Sequence, residues 1–486
     1  MAGWDAIVAG AGSAGVIVAT RLAERGAHVL LLEAGPDFPA DVPALLSSDV
    51  RVPVYEYDWG FRSEGDRDIE LPRGKCVGGS SATNAAAAVR PQPADLDGWG
   101  IPEWSWDACL PALCRFETDK EFGDKPYHGS DGPIHVERID TGDCKPVTCA
   151  VYESLLAMFG DEPDQNAPGA TGTGAQASNT RDGVRQSTLI TYMPLARALP
   201  NFELRADVLV DRVVIENGRA AGVCLVSGEV LVADLVILSA GSLATPTILM
   251  RSGIGPASHL REHEIDLLSD LPVGDNLHDH PAIGLLATAR DPDEIDQRLI
   301  ARVMARHSFA GKSGEEDVHI FGSFTGEGTR SPVPPNGFVV AGMVMKPRSR
   351  GSVRLRSSDP EAAPRVVLNY LDDPYDLDTF VQMMMAIEDV FEQPAMKLVL
   401  DQLLWRPSGE ARAELERVAR AGALTDHHEA GSVPMGPVLD PHLRVHGIDG
   451  LRVCDASIFP DPPRCNTNFP TMMAAERFIE LLDAER

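Results

Sequence analysis

The stretch DAIVAGAGSAGVIVATRLAERGAHVLLLEAG, residues 5–35, decides the fold. It opens on a short apolar run that ends in a glycine cluster, Gly10, Gly12 and Gly15. A helix-period segment follows, closes at Gly26, and gives way to a second apolar run ending on Glu33. Strand, glycine turn, helix and strand make a βαβ unit, and that connection requires parallel strands. In such a turn Gly10 permits the bend, Gly12 lets a pyrophosphate approach the backbone, and Gly15 lets the helix pack against the strand. Glu33 stands eighteen residues beyond Gly15, where a carboxylate accepts hydrogen bonds from an adenosine ribose. The unit is expected to bind a dinucleotide. Alone it does not separate NAD from FAD, since both carry that adenosine.

The 486 residues allow two or more domains, or one large discontinuous one. Lys and Arg number 43 against 72 Asp and Glu, a formal net charge of −29. That surface field argues against nucleic acid and against an anionic membrane as partners. None of the eight cysteines shows C-x-x-C spacing, so reduced structural thiols and no metal site are expected. The apolar N-terminus lacks a basic n-region and is broken by glycines, and nothing reaches the roughly 18 unbroken apolar residues of a membrane span. A soluble, cytoplasmic protein is the expectation.

Strand signals return at 202–241, where β-branched runs are punctuated by ENGR and SGE, the mark of hairpins, and LVILSAG reads as a central parallel strand. Between 285 and 436 the texture changes. DVHIFGSF, GFVVAGMVM, GSVRLRS and RVVLNYL read as strands, and DLDTFVQMMMAIEDVFEQ and EARAELERVARAG as helices. The predicted fold is α/β. A discontinuous Rossmann-like domain (1–155, 200–284 and 437–486) is joined to a substrate domain (156–199 and 285–436) with an antiparallel sheet flanked by helices. Segments within 307–335 read as mobile surface, and the acidic stretches DPDEIDQ and GEED as solvated.

Two further glycine-rich elements, LPRGKCVGGSSATNAAAAVRP at 71–91 and SAGSLATPTILMRSGIGP at 239–256, would each pass for a packed turn in isolation. Together with GAGSAG and LLEAG, VGDNLHDHP at 273–281, and DPHLRVHGIDGLRVCDASIFPDPPRCNTNFPTMMAAE at 440–476, they give an ordered series. In that series the chain resembles the glucose-methanol-choline (GMC) family of flavoprotein oxidoreductases over nearly its whole length, thinning around 285–345. The resemblance implies FAD and places its contacts on Gly10, Gly12, Gly15 and Glu33, on Gly78, Gly79 and Asn84, on the backbone of Val208, and on Asp455, Ala456 and Asn468. Ser13, Ala14, Ala34 and Arg73 stand beside them. Some relatives tether the flavin to a histidine at the position held here by Thr83, so a noncovalent FAD is expected.

Oxidation of an alcohol by a flavin needs a base for the hydroxyl proton while hydride leaves for flavin N5. Imidazole suits that step, and the developing alkoxide needs a donor. In LTDHHEAGSVPMG, residues 424–436, the family pattern puts the base on His428 and the partner donor on Asn466. The implied activity is oxidation of a small-molecule alcohol to a carbonyl, with reoxidation by O2 or another acceptor. An FAD-containing lyase or decarboxylase on the same scaffold is the alternative. His427 is expected to point away from its neighbour, His278 and His280 to hold a turn, His128 to lie in a loop, and Met383, Met384 and Met385 to fill a helix core.

Overall fold

The computed structural model describes residues 3–48, 55–65, 67–296, 298, 302–309, 316–324, 334–405 and 411–485. The opening motif forms as expected: strand Trp4–Ala9, helix Gly15–Glu24 and strand Val29–Leu32. Five strands run parallel in the order Phe202–Arg205, Val29–Leu32, Trp4–Ala9, Val230–Leu238, Leu451–Val453. Val29–Leu32 is buried along its full length, as a parallel strand covered on both faces must be. Val210–Glu216 and Arg219–Leu225 extend this sheet antiparallel from the first half of Val230–Leu238. The last parallel strand arrives more than two hundred residues after its neighbour, so the domain is assembled from separated pieces.

A second sheet is antiparallel throughout, in the order Leu400–Leu403, Pro281–Ala289, Gly337–Val344, Val318–Phe324, Val303–His307, Gly172–Ala175. The short strand Leu424–Thr425 pairs with the start of Pro281–Ala289. One face is backed by helix Pro374–Glu392, whose Phe380, Met383, Met384 and Ile387 are buried in the second hydrophobic core. Met383 and Met384 are core residues as expected, whereas Met385 is half exposed.

Several expectations need correction. Ser352–Arg354 and Arg365–Val367, from GSVRLRS and RVVLNYL, do not join the second sheet. They pair with Phe61–Glu64 and Glu70–Leu71 in a separate four-stranded sheet. Packing also departs from the expected division at 155, 199 and 284. Helix Pro146–Phe159 places Val147, Ala150, Val151 and Leu155 in the second core. Helix Thr188–Arg197 places Leu189, Tyr192 and Met193 in the first. Strand Pro281–Ala289 runs through position 284. An apolar helix face follows the nearest sheet, not its place in the chain.

Cys144 and Cys149 are joined in a disulfide at the start of helix Pro146–Phe159, against the expectation of thiols throughout; the chain doubles back there and brings their Cα atoms to 5.7 Å. The other six cysteines are free. Of the stretches read as mobile surface, residues 310–315 and 325–333 lie outside the described residues. Within GEED, Glu316 and Asp317 are buried rather than solvated. Asp317 accepts from the Phe309 N–H at 3.1 Å. No helix among the described residues is long and apolar enough to cross a membrane.

Candidate active site

The glycine turn closes onto the second glycine-rich element. A Cβ on Gly15 would lie 1.9 Å from the Gly10 carbonyl oxygen, and one on Gly79 would lie 2.7 Å from the Gly12 Cα. Side chains are excluded from both contacts, so the backbone at Gly12 and Gly79 borders open space. That space is a cavity of about 800 Å³. At one end it meets the N-terminus of helix Gly15–Glu24, whose exposed N–H groups favour an anion.

The terminal helix Asn468–Ala484 is pinned to the first by Glu476, which pairs with Arg21 at 2.8 Å and accepts from Tyr192 Oη at 2.8 Å. Ser13 Oγ donates to Asn468 Oδ1 at 2.7 Å. These bonds carry Asn466 and Asn468 to the same cavity as the glycine turn. Asn468 Nδ2 is buried without a partner in the protein, a donor left free for a bound group.

Of the residues expected to contact the cofactor, Gly10, Gly12, Ser13, Ala14, Glu33, Ala34, Arg73, Gly79, Asn84, Val208, Asp455, Ala456 and Asn468 line the cavity, as do Thr83, His428 and Asn466. Gly15 and Gly78 do not; Gly15 serves close packing, and a Cβ on Gly78 would meet Leu189 at 2.9 Å. Glu33 accepts from the N–H groups of Ala11 and Gly35, each at 2.9 Å, and burial pushes its carboxyl up to about 7. The Val208 N–H is taken by the Glu33 carbonyl at 2.8 Å, so a backbone contact to a ligand falls to its carbonyl. Asp455 accepts from Gly241 N at 2.9 Å and Thr245 Oγ1 at 2.6 Å, tying its strand to the end of Val230–Leu238.

At the other end, His428 is buried, and its two ring nitrogens have separate partners. Nε2 meets Asn466 Nδ2 at 2.9 Å, and Nδ1 meets His280 Nδ1 at 3.0 Å. With the amide donating, Nε2 carries the lone pair and Nδ1–H donates to His280. The backbone N–H of His428 donates to Asp279 Oδ1 at 2.9 Å, and Asp279 also accepts from Thr425 and Tyr370. Burial, reinforced by the fields of His280, His427 and Arg73, holds the His428 imidazole well below its ordinary pKa, so it is neutral. His280 is drawn down to about 4, chiefly by burial.

Two expectations fail here. His280 is not merely part of a turn, because it touches His428 across 148 positions of sequence that hold no local signal of the contact. His427 does not point away: both histidines line the cavity. Side chains alternate only along extended backbone, and His427 has φ +65°, which turns the chain. Arg73 pairs with the buried Glu429, a partnership the sequence did not suggest. Arg302 and Asp426 also line the cavity and were not anticipated.

A βαβ turn facing a cavity, with an imidazole and an amide at the far end, is the arrangement of a dinucleotide-binding enzyme. The match to known proteins is specific. Models of the GMC oxidoreductase family match residues 4–282 and 347–475, and the chain belongs to that family. It is 32% identical to the oxygen-dependent choline dehydrogenase 1 of Chromohalobacter salexigens, over 98% of this chain and 94% of that one. Pyridoxine 4-oxidase from Mesorbium loti superposes with a TM-score of 0.92 at 26% identity, covering 99% of this chain and all of the other. A formate oxidase shares the fold, with a TM-score of 0.89 at 24% identity over 100% and 99% of the two chains. The protein is an FAD-dependent oxidoreductase that oxidises CH–OH groups, taking a small-molecule alcohol and passing electrons to an acceptor. None of these relatives is named as a lyase or decarboxylase.

Proposed function

We propose that His428 is the base and Asn466 the alkoxide donor of this oxidation, and that FAD is held without a covalent bond. The observation that carries the first part is the 2.9 Å approach of Asn466 Nδ2 to His428 Nε2 at the cavity wall. A substrate hydroxyl entering between them would give its proton to Nε2 and accept a hydrogen bond from Nδ2. The bound FAD supplies the acceptor for the hydride from the carbinol carbon. As Nε2 takes the proton, Nδ1–H stays anchored on the neutral His280, which accepts the bond without adding a second positive charge.

The proposed FAD contacts are the expected residues that line the cavity. Gly12 and Gly79 would flank the pyrophosphate, Glu33 would meet the ribose, and Asn468 would present its unpartnered amide to the flavin. Thr83 offers a hydroxyl where a tether would need an imidazole.

Anaerobic mixing with a panel of alcohols tests the function: a primary or secondary alcohol should bleach the flavin absorbance, and the carbonyl should be recovered. A panel that leaves the flavin oxidised would sink the reading. In air, the same mixtures should yield peroxide if O2 is the acceptor. Acid precipitation should release all of the flavin, whereas flavin retained in the pellet would overturn the noncovalent assignment.

A further inference from the structure

Arg302 lines the cavity and is not used by the chemistry above. Arg302 leads into strand Val303–His307 and is 6% exposed. Its Nη1 donates to the Ala85 carbonyl at 2.8 Å, while Nε is buried without a partner. Among the described residues no carboxylate stands within ion-pair distance of it.

The neighbours of Arg302 fix which end of the cavity it serves. Met304 packs with Ala87 and Cys465, and Cys465 immediately precedes Asn466. Gln176 donates its backbone N–H to the Arg302 carbonyl at 3.0 Å and lines the same cavity, with Oε1 buried and unpartnered. Two buried polar groups without partners therefore sit at the Asn466 end, away from the glycine turn.

A guanidinium removed from water needs an anion of matching geometry, and its planar fork suits a carboxylate in two parallel hydrogen bonds. The acid whose field reaches it, Asp426, also lines the cavity. Burial and the Asp279 charge push the Asp426 carboxyl up to about 8, so near neutral pH it is a protonated donor and leaves the cation uncompensated. Burial lowers Arg302 to about 10, still cationic there.

We propose that Arg302 sets substrate specificity and that the substrate is a hydroxy acid, its carboxylate held by the Arg302 guanidinium while its hydroxyl lies between His428 and Asn466. The placement of the hydroxyl rests on the oxidation reading; the carboxylate rests on Arg302 alone.

Two measurements on the FAD-loaded enzyme separate these. Titrating the flavin absorbance with benzoate and with benzamide, neither of which has an alcohol to oxidise, reads the anion site by itself. Anaerobic flavin reduction by 4-(hydroxymethyl)benzoate, by 3-hydroxypropanoate and by the amide of each reads both together. Benzoate should bind at least about tenfold more tightly than benzamide, and each hydroxy acid should exceed its amide at least about tenfold in the second-order rate of flavin reduction. Arg302→Gln should abolish both ratios, and Arg302→Lys should keep part of each, since it retains the charge without the fork.

Equal binding of benzoate and benzamide by the wild-type enzyme, or ratios unchanged in Arg302→Gln, would overturn the proposal. Because the wild-type comparison is decisive alone, a variant that fails to fold does not rescue it. Selective benzoate binding with no alcohol able to bleach the flavin would uphold the anion site and refute the oxidation reading. Amides or choline bleaching the flavin as well as the hydroxy acids would do the reverse.

Discussion

His428 and His128 lie in two buried polar clusters of opposite chemistry. His428 faces another imidazole, an amide and the fields of His427 and Arg73, and burial leaves it neutral. His128 is clamped between Glu117 at 2.9 Å and Asp164 at 3.1 Å. Burial pulls its pKa down, but the hydrogen bonds to Asp164 and Glu117 outweigh that and raise it above the ordinary 6.5. Arg90 pairs with Glu117 at 2.6 Å, and Arg138 with Asp119 at 2.9 Å and Asp164 at 3.3 Å. Arg138 also reaches Glu121 at 3.2 Å, so four carboxylates surround two guanidiniums and the His128 imidazole. Glu117, Asp119 and His128 are close enough to suggest a metal triad, yet both carboxylates already carry a guanidinium. The pair of clusters teaches that burial among imidazoles and a guanidinium keeps a histidine unprotonated, whereas burial between acids raises its pKa and turns it into a brace.

The largest expected effect breaks the base. His428→Ala should slow flavin reduction by about two to four powers of ten, the range for losing a general base, with FAD still bound; anaerobic stopped-flow checks it. Wild-type reduction rates in that variant would exclude His428 from the proton transfer.

Breaking the brace should act on stability instead. Arg90→Met takes the guanidinium from buried Glu117 and leaves it only His128 and the Gly129 N–H, a loss of at most about 3–5 kcal/mol. Urea unfolding should show that loss while kcat/KM of the folded enzyme stays as it was. A variant as stable as the wild type would mean that the cluster contributes nothing.

A smaller effect sharpens the comparison within the site. His427 lines the cavity but holds neither nitrogen of His428, so His427→Ala should cost far less than His428→Ala in the same stopped-flow measurement. Equal losses with FAD retained would show that the doublet has been read in the wrong register.

The smallest effect is in pH dependence, where the two clusters have opposite signs. With its pKa raised by folding, His128 contributes stability that is complete below pH 6.5 and lost as pH rises through the folded value. For His428, whose folded pKa is depressed, the unfolded chain binds the extra proton, so stability falls as pH drops below 6.5. Between about pH 6.5 and pH 8.5 the urea midpoint should decline less in His128→Gln than in the wild type. The rate of flavin reduction should be flat from about pH 6.5 upward through neutrality, because the base is already unprotonated; a rate still rising there would contradict a neutral His428.

Much of the site was legible because its cofactor half is built from local geometry. Gly10, Gly12, Gly15 and Glu33 belong to one turn and one strand, and their spacing alone dictates a phosphate at a helix N-terminus. That His428 and Asn466 would stand together was anticipated from motif register, and they meet at the cavity. His128 was not, since YHGSDGP carries no trace of the acids at Glu117 and Asp164. The Arg73–Glu429 pair and the Cys144–Cys149 bond were likewise missed, being matters of which loops meet.

What the sequence by itself determined was the βαβ opening, the alternation of sheet and helix, and the chemistry available to the paired motifs, because each follows from period and spacing along a few dozen residues. The tertiary structure alone decided that His280 meets His428, that a left-handed backbone at His427 brings both histidines to the cavity, and that Arg302 reaches it with no carboxylate in ion-pair distance among the described residues. Charge state and partnership depend on contacts between distant segments and on the water they exclude, and neither quantity has a period that a sequence can display.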